Sequence, residues 1–430
     1  MKKTYIGDML KFIDASVTPF HAVKNIAEAL ELSGYSELSE KDRWKLWPGM
    51  KFYTKRNNSS IIAFSLPNGD FKGFKIFAAH SDSPCFKLKE NPEMPEETGL
   101  IRLNTERYGG MIVSTWLDRP LSLAGRIVYD SKDGLKEKLF NIDKDLLIIP
   151  NVAVHMNSEI NKGYEYKLQN DLLPLFATGG SQKTVKKLLS KETGIAEEDI
   201  LGSDVYLYTR QKGTLLGAKK EFAVSPRLDD LSSAYAGLQG FLSTDTGKEN
   251  YTDDGYVKVF AVFDNEEVGS LTKQGADSSF LQDTLQRVAE SLSLSQNTYL
   301  GMLADSFLIS ADNAHAAHPA MLSKADPVNR PKLNGGVVLK FNSEQHYATD
   351  GYSAAYLRKL AKKTGVVLQD YSNNSNVRGG STLGNISTAH VSVATADIGL
   401  PQLSMHSAVE TMGSNDINDM INLAATFFGA

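Results

Sequence analysis

The run Tyr256-Val257-Lys258-Val259-Phe260-Ala261-Val262-Phe263 constrains this chain more than any other stretch. It is apolar, rich in β-branched and aromatic residues, and breaks directly into Asp264-Asn265-Glu266-Glu267-Val268-Gly269-Ser270. Such a run reads as a buried strand, so the carboxylates sit where a core strand emerges into a loop. In an open α/β sheet that edge is where ligands bind. On a strand Glu266 and Glu267 would point opposite ways; on a turn both reach one cavity. Two like charges held together in a cleft are costly unless a cation neutralises them or one keeps its proton. A lone Glu-Glu pair is more simply a solvated acidic turn. What shifts the balance is that His and Asp stand at the ends of other apolar runs.

The N-terminal segment spaces Ile6, Leu10, Ile13 and Val17 as on a helix, and Thr18-Pro19 reads as the N-cap and first residue of a second. His21, in the first turn of that helix, has a capping or packing role. Ile61–Leu66 and Phe74–Ala79 read as strands joined across Pro67-Asn68-Gly69-Asp70, and the second runs straight into His80-Ser81-Asp82-Ser83-Pro84. Glu90–Glu97 is Pro- and Glu-rich and reads as a linker. Beyond it come short β-like pieces: Met111–Trp116, Ala124–Tyr129 and Asp204–Thr209. The texture changes back near Ser225-Pro226. Residues 91–225 therefore read as a β-rich domain inserted into an α/β domain made of 1–90 and 226–430. Strands alternating with helices predict a mixed, largely parallel sheet flanked by helices.

At 430 residues the chain can bury a large core. Its net charge, 46 − 51 = −5, gives no reason to expect nucleic acid or an anionic membrane as partner. Met1-Lys2-Lys3 opens like a secretory signal, but Asp8 and Lys11 interrupt the apolar stretch behind it. The single cysteine, Cys85, excludes an intramolecular disulfide framework and fits a reducing, cytoplasmic setting. It also excludes sites built from several thiolates, so a metal would be held by His, Asp and Glu.

Five candidate ligands stand out: His80, Asp229, Glu267, Asp312 and His406. Most lie at or just beyond a strand-like run, so one sheet could aim them at one cleft. Two histidines and three carboxylates suit a pair of borderline divalent ions such as Zn²⁺, Co²⁺ or Mn²⁺. A bridging carboxylate lets five residues serve two ions about 3.5–4 Å apart. Asp82 can accept the other ring N–H of a metal-bound His80. Taken singly, each of these residues is more often structural or solvated; their conjunction carries the argument.

The motifs resemble those of the aspartyl aminopeptidases, co-catalytic dizinc exopeptidases of zinc-exopeptidase-like fold. The matching stretches are Ala79–Cys85, Tyr108-Gly109-Gly110, Trp116–Gly125, Ser225–Asp230, Phe263–Ser270, Ala311–Pro319 and Met405-His406-Ser407, in the family's order along nearly the whole chain. The resemblance implies one metal held by His80, Asp229 and Asp312, with Asp229 bridging to a second held by Glu267 and His406. It implies Glu266 as general base and His155, His315, Lys340 and Tyr347 as substrate contacts. It also implies a cis peptide between Asp229 and Asp230, and a Gly-Ser/Thr loop at Gly379–Gly384. Asn385, after that loop, replaces the Pro expected in many members. The family implies preference for acidic N-terminal residues, His155 acting across a subunit boundary, and a tetrahedral homo-oligomer, commonly a dodecamer, assembled through the inserted domain.

The alternatives are a dizinc carboxypeptidase or deacylase, with Arg227 or Arg378 on the substrate carboxylate, and a non-catalytic metal-bound scaffold. Loss of Glu266 with ligands kept would mark the scaffold; Glu266 is present.

Overall fold

The computed structural model describes residues 5–179, 184–244, 253–377 and 379–429. It divides into two compact units. The first comprises 1–82, 213–405 and 410–430; the second comprises 83–212 and 406–409.

A nine-stranded sheet forms the frame of the first unit. Its order is Ser36–Glu37, Lys51–Arg56, Ser60–Ser65, Tyr256–Phe263, Gly73–His80, Phe307–Ala311, Ala394–Gly399, Val337–Phe341 and Leu368–Ser372. The four strands from Tyr256–Phe263 to Ala394–Gly399 run parallel. Antiparallel pairings join Tyr256–Phe263 to Ser60–Ser65 and Val337–Phe341 to Ala394–Gly399. The sheet is thus mixed and largely parallel, as expected.

The central run explains why both faces are covered. Val257, Val259, Ala261 and Phe263 enter one core layer, and Phe260 and Val262 enter the other. A strand buried on both sides needs a near-continuous apolar sequence; buried Lys258 interrupts it, with its ammonium donating to the Thr244 carbonyl at 3.2 Å. Helices Ile6–Ala15, Pro19–Leu32, Leu228–Ser243, Gly351–Thr364 and Asp416–Phe428 contribute to the layer of Phe260 and Val262, and Phe280–Ser291 and Gln296–Ala304 to that of Val257 and Val259. Leu228–Ser243 lies so close to the sheet that a Cβ on Gly237 would stand 2.5 Å from the Phe77 ring and 2.8 Å from that of Phe260. Thr18 caps the second helix as expected: its hydroxyl accepts the His21 N–H and lies 2.8 Å from His21 Nδ1.

A six-stranded antiparallel sheet organises the second unit, in the order Gly134–Asn141, Leu121–Ser131, Ile200–Thr209, Cys85–Pro95, Leu100–Tyr108 and Leu175–Thr178. Two local expectations fail here. Glu90–Glu97 is no linker, because the strand Cys85–Pro95 runs through most of it. The strand absorbs Asn91, at φ 51°, and Pro92 in a register shift between Leu88 and Glu93, the kind of irregularity that tolerates a missing N–H. Nor is Met111–Trp116 a strand: Val113–Trp116 is a short 3-10 turn, and the Thr115 hydroxyl donates back to the Ile112 carbonyl at 2.6 Å. That local side-chain bond competes with strand pairing.

Candidate metal centre

Register brings the site together. His80 ends its strand directly beside Phe263, and Ser310 pairs with Ala78. Three neighbouring parallel strands therefore release His80, the 264–270 turn and Asp312 at the same edge. Asn265 at φ 61° and Gly269 at φ 97° bend the turn around Glu266 and Glu267; Asn tolerates this left-handed conformation better than most residues. The Asn265 side-chain oxygen accepts from Thr272 and Gln274 at 2.8 Å each.

Asp82 has more to do than its spacing suggested. Its main-chain carbonyl lies 3.1 Å from His80 Nδ1, and its carboxylate Oδ1 lies 3.3 Å from the same nitrogen. The two carboxylate oxygens also accept the N–H groups of Glu266 and Glu267, each at 3.1 Å. One buried side chain thus orients the imidazole and clamps the acidic turn. With Nδ1 so engaged, His80 Nε2 faces Asp229 Oδ1 at 3.4 Å and Asp312 Oδ1 at 4.0 Å.

The peptide between Asp229 and Asp230 is cis, as the family motif implied. Asp229 N–H donates to Glu410 at 3.0 Å, and Asp230 accepts the His80 N–H at 3.2 Å. Asn313 donates to the Leu228 carbonyl and to Gln402, at 2.8 and 2.9 Å. Donor atoms of His80, Asp229, Asp230 and Asp312 lie within 4.8 Å of one another, as do those of His80, Glu266 and Glu267.

The cluster is strained electrostatically. Burial raises the Glu266 pKa to about 8; His80 opposes the rise, and Asp312, Asp82 and Asp229 add to it. Burial, with Asp229 and Glu266, holds Glu267 well above the carboxylate range. Asp312 rises to about 6 through burial, restrained by Lys340. Burial disfavours charge on His80, but its bonds to Asp229 and Asp82 outweigh this and raise its pKa well above the usual value. Carboxylates that repel one another around an imidazole are a donor set that divalent cations relieve. The cluster is therefore able to hold metal ions, and oxygen and nitrogen donors without thiolate fit two zinc ions.

The other expected residues fall in several places. Lys340 is buried; its ammonium donates to the Asn313 carbonyl at 2.9 Å and lies 3.8 Å from Asp312 Oδ2. It also lies 5.4 Å from the centre of the Tyr347 ring. His315 is exposed on the strand Ala314–His315, with its ring 6.4 Å from Tyr371. His406, at φ 65°, starts the 406–409 segment grouped with the second unit, and its carbonyl accepts the Ile112 N–H. His155 is exposed in a turn of the second unit. Arg227 sends its guanidinium to the Ile13 carbonyl at 3.2 Å; Arg378 lies outside the described residues.

Sequence reasoning passed over Asp397. This buried carboxylate accepts the Ala348 N–H at 2.5 Å and the Thr382 hydroxyl at 2.7 Å. It therefore ties the segment after Tyr347 to the Gly379–Gly384 loop. A Cβ on Gly384 would stand 2.6 Å from the same carboxylate, so that glycine is needed for the approach. The signal was there to read: an Asp inside the apolar run 394–399. Asn385 accepts the Ser381 hydroxyl at 2.8 Å, bracing the loop where Pro was expected.

The comparisons with known proteins agree with this geometry. A family model described as aminopeptidase I zinc metalloprotease (M18) matches residues 12–428. A probable M18 family aminopeptidase 2 from Clostridium novyi is 42% identical over 96% of this chain and 96% of its own. Among solved structures, a chain of the Ape4 and Nbr1 complex superposes with a TM-score of 0.95 at 35% identity, covering 99% of this chain and 85% of that one. The mApe1 dodecamer of S. cerevisiae gives 0.85 at 26% identity, covering 98% and 96%. This chain therefore belongs to the M18 family of zinc metallo-aminopeptidases, the aspartyl aminopeptidase family that its motifs resemble.

Proposed function

We propose that the chain removes N-terminal residues from peptides with two metal ions and Glu266 as general base, preferring acidic N-terminal residues. His80, Asp229 and Asp312 would hold one ion, and Asp229, Glu267 and His406 the other. Bound there, the ions would polarise the scissile carbonyl and acidify the attacking water. Glu266 accepts the water's proton and returns it to the leaving amine. Its raised pKa supports that task, because nearby cations would lower it from about 8 towards neutrality. Asp82 acts as a positioning residue through the two N–H groups and the imidazole that it holds. The observation that carries the reading is this clamp, which sets Glu266 and Glu267 on one turn beside His80.

His315, Tyr347 and Lys340 are read as substrate contacts, with Lys340 as the cation that an acidic side chain requires in a carboxylate-rich site. His155 is read as reaching the site of a neighbouring protomer. Exposure of Val152, Val154 and Met156 around it suits burial against a second copy. The mApe1 of S. cerevisiae forms a dodecamer, and we read the same assembly here, with the second unit as its contact surface. Among the described residues no helix is long and apolar enough to cross a membrane, and the single cysteine supports a cytoplasmic setting.

The test measures bound metal and release of N-terminal residues from a peptide panel, on wild type and Glu266→Gln. The expected result is metal-dependent release by wild type and full metal with most turnover lost in the variant. Near-normal rates in fully loaded Glu266→Gln would remove Glu266 from the base role, and release from the C-terminal end would favour the carboxypeptidase alternative. For the neighbouring-protomer role, mixing His155→Ala with Glu266→Gln protomers should recover activity that neither homogeneous assembly has. No recovery in verified mixed assemblies would place His155 elsewhere.

A further inference from the structure

The first unit has a pocket of about 270 Å³, lined among others by His315, His318, Lys324, Arg330, Tyr371 and Gln402. Its wall is built rather than loose. Ala317 N–H donates to the Pro331 carbonyl at 2.8 Å, and the Asn374 amide donates to the Ser323 and Ala325 carbonyls at 3.2 and 3.1 Å. His318 Nδ1 accepts the Ala320 N–H at 3.2 Å, which leaves the ring proton on Nε2 as a donor. No Asp or Glu lines this pocket among the described residues. The nearby Asp326 carboxylate feels the charge of Arg330 but is occupied by the Val328 and Asn329 N–H groups. Exposed Lys and Arg side chains are usually just solvated. Here two of them share a concavity with two histidines, in a chain of net charge −5.

We propose that this pocket is a leaving-side subsite that takes a carboxylate on the peptide beyond the scissile bond, with Lys324, Arg330 and His318 as its donors. The inference rests on the peptidase reading. His315 lines the pocket three residues past Asp312, and Gln402, which also lines it, accepts from Asn313 beside Asp312 at 2.9 Å, so a peptide with its scissile bond at the metal cluster would reach the pocket with the residues beyond that bond. Its volume is near the lower end for small-ligand sites, which suits a short peptide tail and not a folded partner. The carboxylate can come from the C-terminus of a short peptide or from an acidic side chain of a longer one; both present the same group.

The experiment uses metal-loaded wild type and the double variant Lys324→Gln/Arg330→Gln. Three tetrapeptides share one N-terminal residue: a free acid, its C-terminal amide, and the amide with Glu at the third position. Wild type should show a KM for the plain amide roughly three- to tenfold above that of a carboxylate-bearing peptide, with the gap narrowing at high salt. The double variant should close the gap while leaving turnover of the plain amide unchanged. Preference for the free acid alone identifies the C-terminus as the source, and an equal advantage for the Glu amide identifies side chains. Equal KM for all three on wild type, or a gap that survives in the double variant, overturns the inference while leaving the peptidase reading intact. Loaded protein that releases no N-terminal residue from any peptide overturns both.

Discussion

Lys340 is pulled two ways. Its ammonium bonds the Asn313 carbonyl and lies 3.8 Å from Asp312, so the cation proposed to read an acidic substrate also steadies a metal ligand. Lys340→Met separates the two roles. A charge-assisted hydrogen bond to a substrate carboxylate contributes roughly 1.5–3 kcal/mol, about ten- to hundredfold in selectivity. If Lys340 reads the side chain, the variant should lose that factor for Asp-leading substrates and little for Leu-leading ones. An equal fall on both substrates, with less metal bound, would assign it to Asp312 alone. Residues of this kind are half legible in a sequence: Lys340 ends a strand-like run and matches a motif, but its contact with Asn313 depends on folding. Asp397 and Glu410 were less legible still, because their roles exist only through partners on other elements.

Among the elements, the helix Leu228–Ser243 sets how closely Asp229 approaches the sheet. Gly237 permits that approach, with the rings of Phe77 and Phe260 where a methyl would go. Gly237→Ala gains helix propensity of about 1 kcal/mol, but overpacking a filled core costs typically 1–3 kcal/mol. The clash involves two buried rings on central strands, so the second effect should win. The variant should unfold at lower denaturant, with zinc affinity reduced because Asp229, in the non-helical step at Asp229-Asp230, leads directly into the same helix. A more stable variant with unchanged affinity would show that the layer can give. Apolar runs made the central strands and the site edge readable in advance. What misled was local composition: Glu90–Glu97 looked like a linker because Pro and Glu disfavour strands, yet a register shift accommodates them.

For the whole molecule, the cost of gathering these carboxylates should appear in the pH dependence of stability once metal is removed. In the metal-free protein burial raises Asp312 to about 6, Asp264 to about 7 and Glu266 to about 8. Carboxylates in an unfolded chain titrate near 4. These groups therefore bind more protons in the folded state than in the unfolded state across this window, and their contribution to stability falls as pH rises from about 5 to 8. His80, also raised, adds the same sign: its charged form favours folding, and that contribution is lost as pH climbs through its folded pKa. His21, lowered to about 4 by burial, works the other way below about 6.5 and is independent of metal. Asp204 and Asp350 have lowered values, so their contributions are lost only as pH falls through the acid range below this window. Asp416, raised to about 6 by burial near the last helix, falls in the window but is independent of metal. The readout is therefore the difference between chelated and zinc-loaded protein in thermal melts at pH 5, 6, 7 and 8. Zinc favours the ionised carboxylates and binds the folded state, so it should raise the melting temperature most at pH 8 and least at pH 5. A zinc effect that is the same at every pH would mean that the buried carboxylates are not what the ions neutralise.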